Sequence, residues 1–142
     1  MKNYYSTYDK LKNRHHTQCM FNNDNGRAGD KLKISFSDKG ELNGTFDCQE
    51  SFQGYDGLMH GGMIAAIIDS AMAKCLMGHG ILGFTGRMNI RYLKPVQAGN
   101  RIGIKCRITE SYKELYKIQA EITQDSACGA HVTANARFYR IN

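Results

Sequence analysis

Apolar residues fall at every second position once the chain passes residue 31. Leu32, Ile34 and Phe36 alternate with Lys33, Ser35 and Ser37, the period of a half-buried strand. Asp38-Lys39-Gly40 reads as a turn, and residues 41–48 read as a second strand with Leu42, Phe46 and Cys48 inward. The two are expected to pair as a hairpin. A loop holding Gly54, Asp56 and Gly57 follows, and then the period changes. Residues 63–77 carry Asp69, Ser70 and Lys74 as their only polar side chains. A helix apolar on nearly every side belongs in an interior. Residues 78–83, glycine-rich, end it. Stretches 84–92, 101–111, 115–123 and 130–141 return to β-branched and aromatic alternation, separated by Lys94-Pro95, Gln97-Ala98-Gly99-Asn100, Tyr112-Lys113-Glu114 and Gln124-Asp125-Ser126. Two strands, one buried helix and four further antiparallel strands predict an α+β domain in which one curved antiparallel sheet wraps around one long helix.

The first thirty residues are a polar lead-in with a short helix predicted near 4–11, so the division expected is 1–30 lead-in and 31–142 globular domain. At 142 residues the chain has room for one such domain. The absence of a long apolar run predicts no membrane association, and the polar N-terminal stretch reads as lacking a secretory signal. Five cysteines, at 19, 48, 75, 106 and 128, show no tight spacing. A reduced, cytoplasmic chain is the expectation. The formal charge of +6 suits either nucleic acid or a phosphate-bearing small ligand. Basic residues scattered over strand faces and loops, with most aromatics at inward positions, argue against nucleic acid.

Two apparent motifs fail on context. Gly78-His79-Gly80-Ile81-Leu82-Gly83 matches the dinucleotide fingerprint G-x-G-x-x-G, but that fingerprint needs a strand before it and a helix after it. Here the order is reversed. His15, His16 and Cys19 suggest metal, yet position 22, where a second cysteine would close the site, is Asn22. No metal is expected.

The third constellation is stronger. His60-Gly61-Gly62 opens the buried helix, so unpaired amides and the positive end of the helix dipole meet there. Glycine leaves those donors open to a ligand, which is the logic of an oxyanion hole. Asp69 shares a helix face with Gly62, Ala65, Met72 and Leu76, away from Ser70 and Lys74. A carboxylate in such surroundings needs either a partner, such as a backbone amide, Arg87 or Arg91, or access to a wet cleft.

His60-Gly61-Gly62, Asp69 nine positions after the histidine, and Met88-Asn89-Ile90-Arg91-Tyr92-Leu93-Lys94-Pro95 together resemble the hotdog-fold acyl-CoA thioesterases of the phenylacetate-pathway type. The resemblance implies hydrolysis of an acyl-CoA thioester in a dimer or tetramer, with sites between subunits. It implies that the Gly61 amide holds the carbonyl and that His60 shapes the turn with its imidazole near that carbonyl. Asp69 is implied as general base or nucleophile, reaching in from the partner's helix, and Thr85 as the hydroxyl that helps orient the water. Relatives often carry an asparagine seven positions before the glycine matching Gly61, as a second carbonyl donor. Gly54 stands there instead, with Gln53 beside it as the replacement. Gly62 completes the expected substrate contacts, and Arg91 and Lys94, with Arg101 near them, suit the phosphates of coenzyme A. No cofactor is required by this chemistry. A hydratase or dehydratase on the same fold, and a non-catalytic acyl-CoA-binding module, remain as alternatives.

Overall fold

A computed structural model of the chain describes residues 2–22, 32–124 and 129–142. Cys128, residues 23–30 of the lead-in, Lys31, and Asp125 and Ser126 of the last predicted turn lie outside the described residues. The elements run α1 (Tyr4–His15), β1 (Leu32–Phe36), β2 (Leu42–Asp47), α2 (Gly61–Gly78), β3 (Gly83–Tyr92), β4 (Arg101–Tyr112), β5 (Leu115–Thr123) and β6 (Val132–Arg140). One antiparallel sheet holds all six strands in the order β1-β2-β4-β5-β6-β3. After α2 the chain therefore crosses to the far edge, and β3 pairs with β6.

The sheet closes on α2. Ile67, Ile68, Met72 and Leu76 of the helix are fully buried against Ile102, Ile104, Ile118, Ile122 and Phe138 of the strands. Each large side chain so removed from water contributes about 1.5–3 kcal/mol. By length and composition α2 is apolar enough to cross a bilayer, unlike the reading of its sequence, but 61% of it is buried inside this fold. The glycine-rich stretch after it is a helix stop. The amides of His79 and Gly80 bond back to Leu76 and Met77, and Gly80 has φ +79°, a conformation that glycine adopts without penalty.

The lead-in is not a free appendage. Asn3 caps α1 by accepting from the Ser6 amide at 2.9 Å, and α1 lies across α2 with Tyr8 buried. This contact buries Lys74, which shares the helix's polar stripe with Ser70, to 1% exposure. Its Nζ donates to Asn22 Oδ1 at 2.7 Å, lies 3.9 Å from Cys19 Sγ and sits 5.9 Å from the centre of the Tyr8 ring. Burial pushes the Cys19 thiol up, but His16, the Phe21 backbone, the Lys74 ammonium and the Ser70 hydroxyl outweigh it and bring it down to about 6.

A pH dependence follows. A depressed folded-state value means that the folded chain holds fewer protons than the unfolded one between about pH 6 and pH 9, so stability rises with pH across that window and is lost on acidification through it. The urea midpoint of the wild type should gain on that of Cys19→Ala as pH rises from about 6 to about 9. A constant gap between the two would remove the thiolate from the account.

Candidate active site

Helix α2 begins where apolar periodicity gives way to glycine. His60, extended at φ −63° and ψ 129°, is the N-cap, and its Nδ1 accepts from the Gly62 amide at 2.9 Å. That bond places the ring proton on Nε2. The Met63 and Ile64 amides bond to the His60 carbonyl. Among the described residues the Gly61 amide alone in this turn has no partner, and Gly61 and Gly62 are exposed. A donor backed by a helix dipole thus faces open space. A hollow of about 560 Å³ lies over it, lined by Gly54, Tyr55, His60 and Gly61 among others. A second hollow of about 230 Å³ shares Gly61 and is walled by Leu58, Ile64, Tyr92 and Pro95.

Asp69 is half-buried on α2, and its carboxylate accepts a hydrogen bond from the Thr85 hydroxyl of β3. Thr85 is thus its partner in this structure, in place of the arginines considered from the sequence. The reason is a β-bulge. The β3–β6 register runs Thr85↔Phe138 and then Arg87↔Arg137, with Gly86 extra between them. Directly opposed residues share a face. Thr85 therefore looks inward with buried Phe138, while Arg87 looks outward with exposed Arg137. Ile90 and Tyr92, opposite Ala134 and Val132, also face α2.

Arg91, opposite Thr133, takes the outer face of the sheet, away from Gly61. Lys94 borders the smaller hollow. Arg101 is engaged with Asp47 at 2.8 Å on the surface. Gln53, expected to lend a second donor, turns into its own loop: its Nε2 donates to the Glu50 carbonyl at 2.7 Å and its Oε1 accepts from the Gly57 amide at 2.5 Å. Gly54 packs close to His60, where a Cβ would meet His60 Cα at 3.3 Å. A residue that sequence reasoning passed over is Tyr92, whose hydroxyl donates to the Gly61 carbonyl at 2.8 Å.

Chemically, the chain offers a naked amide at a helix N-terminus and a hydroxyl-bonded carboxylate. The eight residue steps between Gly61 and Asp69 separate them by about 12 Å along one helix. One water cannot span that distance, so a single chain does not bring the two to one reacting carbon.

Comparison with known proteins places this geometry. The chain is 28% identical over 90 residues to acyl-coenzyme A thioesterase THEM4 of Rattus norvegicus, a match covering 63% of this chain and 39% of that protein. It thus spans about two fifths of the length of this curated relative. The fold is shared with the E. coli PaaI protein from the phenylacetic acid degradation operon, at TM-score 0.79 and 15% identity over 98% of this chain and 94% of the other. It is shared too with a hypothetical thioesterase of Streptococcus pneumoniae TIGR4, solved with coenzyme A, at TM-score 0.73 and 20% identity over 79% and 90% of the two chains. Structures of that protein also exist with an aspartate and a threonine, sixteen positions apart, each changed to alanine. Both neighbours establish the hotdog arrangement of a curved sheet around a central helix. The sequence model of the thioesterase superfamily matches residues 56–128, which hold α2 with both Gly61 and Asp69, and β3. Covering just over half of the sequence, that match shows that the chain belongs to the thioesterase superfamily.

Proposed function

We propose that the protein hydrolyses acyl-CoA thioesters to free acid and coenzyme A. The observation that carries this reading is the pairing of an unpartnered Gly61 amide at the start of α2 with the Thr85-bonded carboxylate of Asp69. The thioester carbonyl sits on the Gly61 amide, and the His60 Nε2 proton lies in the same turn as a second donor. Asp69 takes a proton from water as the water oxygen attacks the carbonyl carbon. The oxyanion so formed is held by the amide, and it collapses with cleavage of the carbon–sulfur bond. Water supplies the hydroxyl of the acid and the proton of the thiol. Thr85 fixes one carboxylate oxygen and leaves the other for the water. The same sixteen-residue separation of Asp69 and Thr85 occurs in the pneumococcal pair of altered residues, which supports this assignment. The coenzyme A held by that neighbour and the name of the curated relative support the substrate class.

The site is completed by a second copy of the chain. β3 is an edge strand of ten residues with no neighbour on its outer side among the described residues. Phe84, Tyr92 and Leu93 are each more than half exposed along or just beyond it. An unpaired edge of this length is a template for strand addition. A two-fold pairing of β3 with its copy brings each Asp69 toward the other chain's Gly61 and removes the 12 Å problem (about eight helical steps). A dimer, or a tetramer of two such dimers, is the assembly we infer. Among the described residues Cys48, Cys75 and Cys106 are buried free thiols, which favours a reducing, cytoplasmic setting.

Free-thiol release from short, medium, long and aromatic acyl-CoAs tests the activity. Turnover on at least one class is expected. Absence of turnover across the panel, with acyl-CoA still bound, would leave a ligand-binding module in its place.

A further inference from the structure

This inference rests on the hydrolytic reading of the Gly61 site. An amide that stabilises a developing oxyanion must be fixed before the reaction begins, because the benefit lies in preorganisation. The sequence of this turn works against rigidity. Gly61 and Gly62 stand at its first two positions, and glycine is the poorest helix former after proline. No acidic residue occupies the first turn to interact with the dipole. The glycines leave the amide accessible, so the stiffness must come from elsewhere.

Two side chains supply it. His60 holds the Gly62 amide from the N-cap side. Tyr92 holds the Gly61 carbonyl from the strand side, with its hydroxyl at 2.8 Å. The Tyr92 ring also lies against the glycine, 3.7–3.8 Å from where a Gly61 Cβ would stand. We propose that Tyr92 is a positioning residue for hydrolysis: through the Gly61 carbonyl it fixes the first turn of α2, and so aims the Gly61 amide at the thioester carbonyl. Burial pushes its phenol up, which keeps the hydroxyl a donor through the neutral range. The strand matters as much as the residue. β3 bonds α2 at two points, Thr85 to Asp69 and Tyr92 to Gly61. In the inferred dimer, one element of each chain therefore sets the base of one site and the oxyanion donor of the other.

Tyr92→Phe keeps the ring and deletes one hydroxyl. Its kcat should fall about tenfold, the scale of one hydrogen bond, with KM nearly unchanged and the melting temperature close to wild type. The Gly61 N–H vector should become more mobile, read as a lower NMR order parameter. Wild-type kcat in Tyr92→Phe, or a loss confined to KM, would overturn the proposal while Asp69→Asn still reports on the hydrolytic reading. Should the wild type hydrolyse nothing, that reading fails by itself. An unchanged Gly61 order parameter in Tyr92→Phe would then overturn the positioning role, and a lower one would uphold its structural part.

Discussion

Asp69→Asn is expected to lower thioester turnover by about 10² or more, the contribution typical of a positioned general base. The substitution is a close isostere, and the asparagine oxygen still accepts from the Thr85 hydroxyl. Helix, strand and their contact should therefore persist, and the melting curve should overlay that of the wild type. What disappears is the capacity to take a proton from water. Thr85→Ala leaves the carboxylate in place but loosens it, so a smaller loss is expected there. Equal turnover in wild type and Asp69→Asn would remove Asp69 from the mechanism and shift attention to the His60 turn.

Gly61→Pro should be nearly as damaging, for a different reason. Proline at the first helical position is well tolerated, since the amide it lacks makes no intrahelical bond. His60 already has the extended conformation that a residue before proline prefers. The fold should survive, yet the oxyanion donor is gone and a ring carbon takes its place. A loss of about 10²–10³ in kcat is the scale for one such donor. The two variants together test where the site is built. In a two-fold dimer with Gly61 from one chain and Asp69 from the other, a heterodimer of Asp69→Asn and Gly61→Pro chains holds one intact site and one doubly defective site. Unfolding and refolding the two variants together should then restore about a quarter of wild-type activity, half the dimers being mixed with one working site each. No recovery beyond the sum of the separate variants would place both groups of each site in one chain.

The fold was legible because its signals are periodic and local. Alternation located each of the six strands, and the apolar run located α2, although its start was read two residues late. Glycine hides the helix boundary, and only the cap at His60 marks it. The charge environment of Asp69 was less legible. Strict alternation puts Thr85 and Arg87 on one face, and the bulge at Gly86 separates them. A lone glycine inside a strand is the available signal for such a bulge. Lys74 escaped for another reason. The helical wheel shows which face is polar, but not that α1 and the lead-in return to cover it. Gln53 stands beside the expected donor position only in sequence, and its loop satisfies its amide internally.

The order of strands also sets when the site comes into being. β3 follows α2 directly, but within the sheet its partner is β6, about 40 residues further along. Contacts between such distant segments form late, because a long loop must close first. A chain in which β1, β2, β4 and β5 have already gathered around α2 would have most of its core, yet Thr85 and Tyr92 would still lack the strand that holds them. The proposed site therefore exists only after the long closures of the sheet, β2 onto β4 and β3 onto β6, have both been made. During refolding, recovery of turnover should trail recovery of helical signal by the time these long-range pairings take to form.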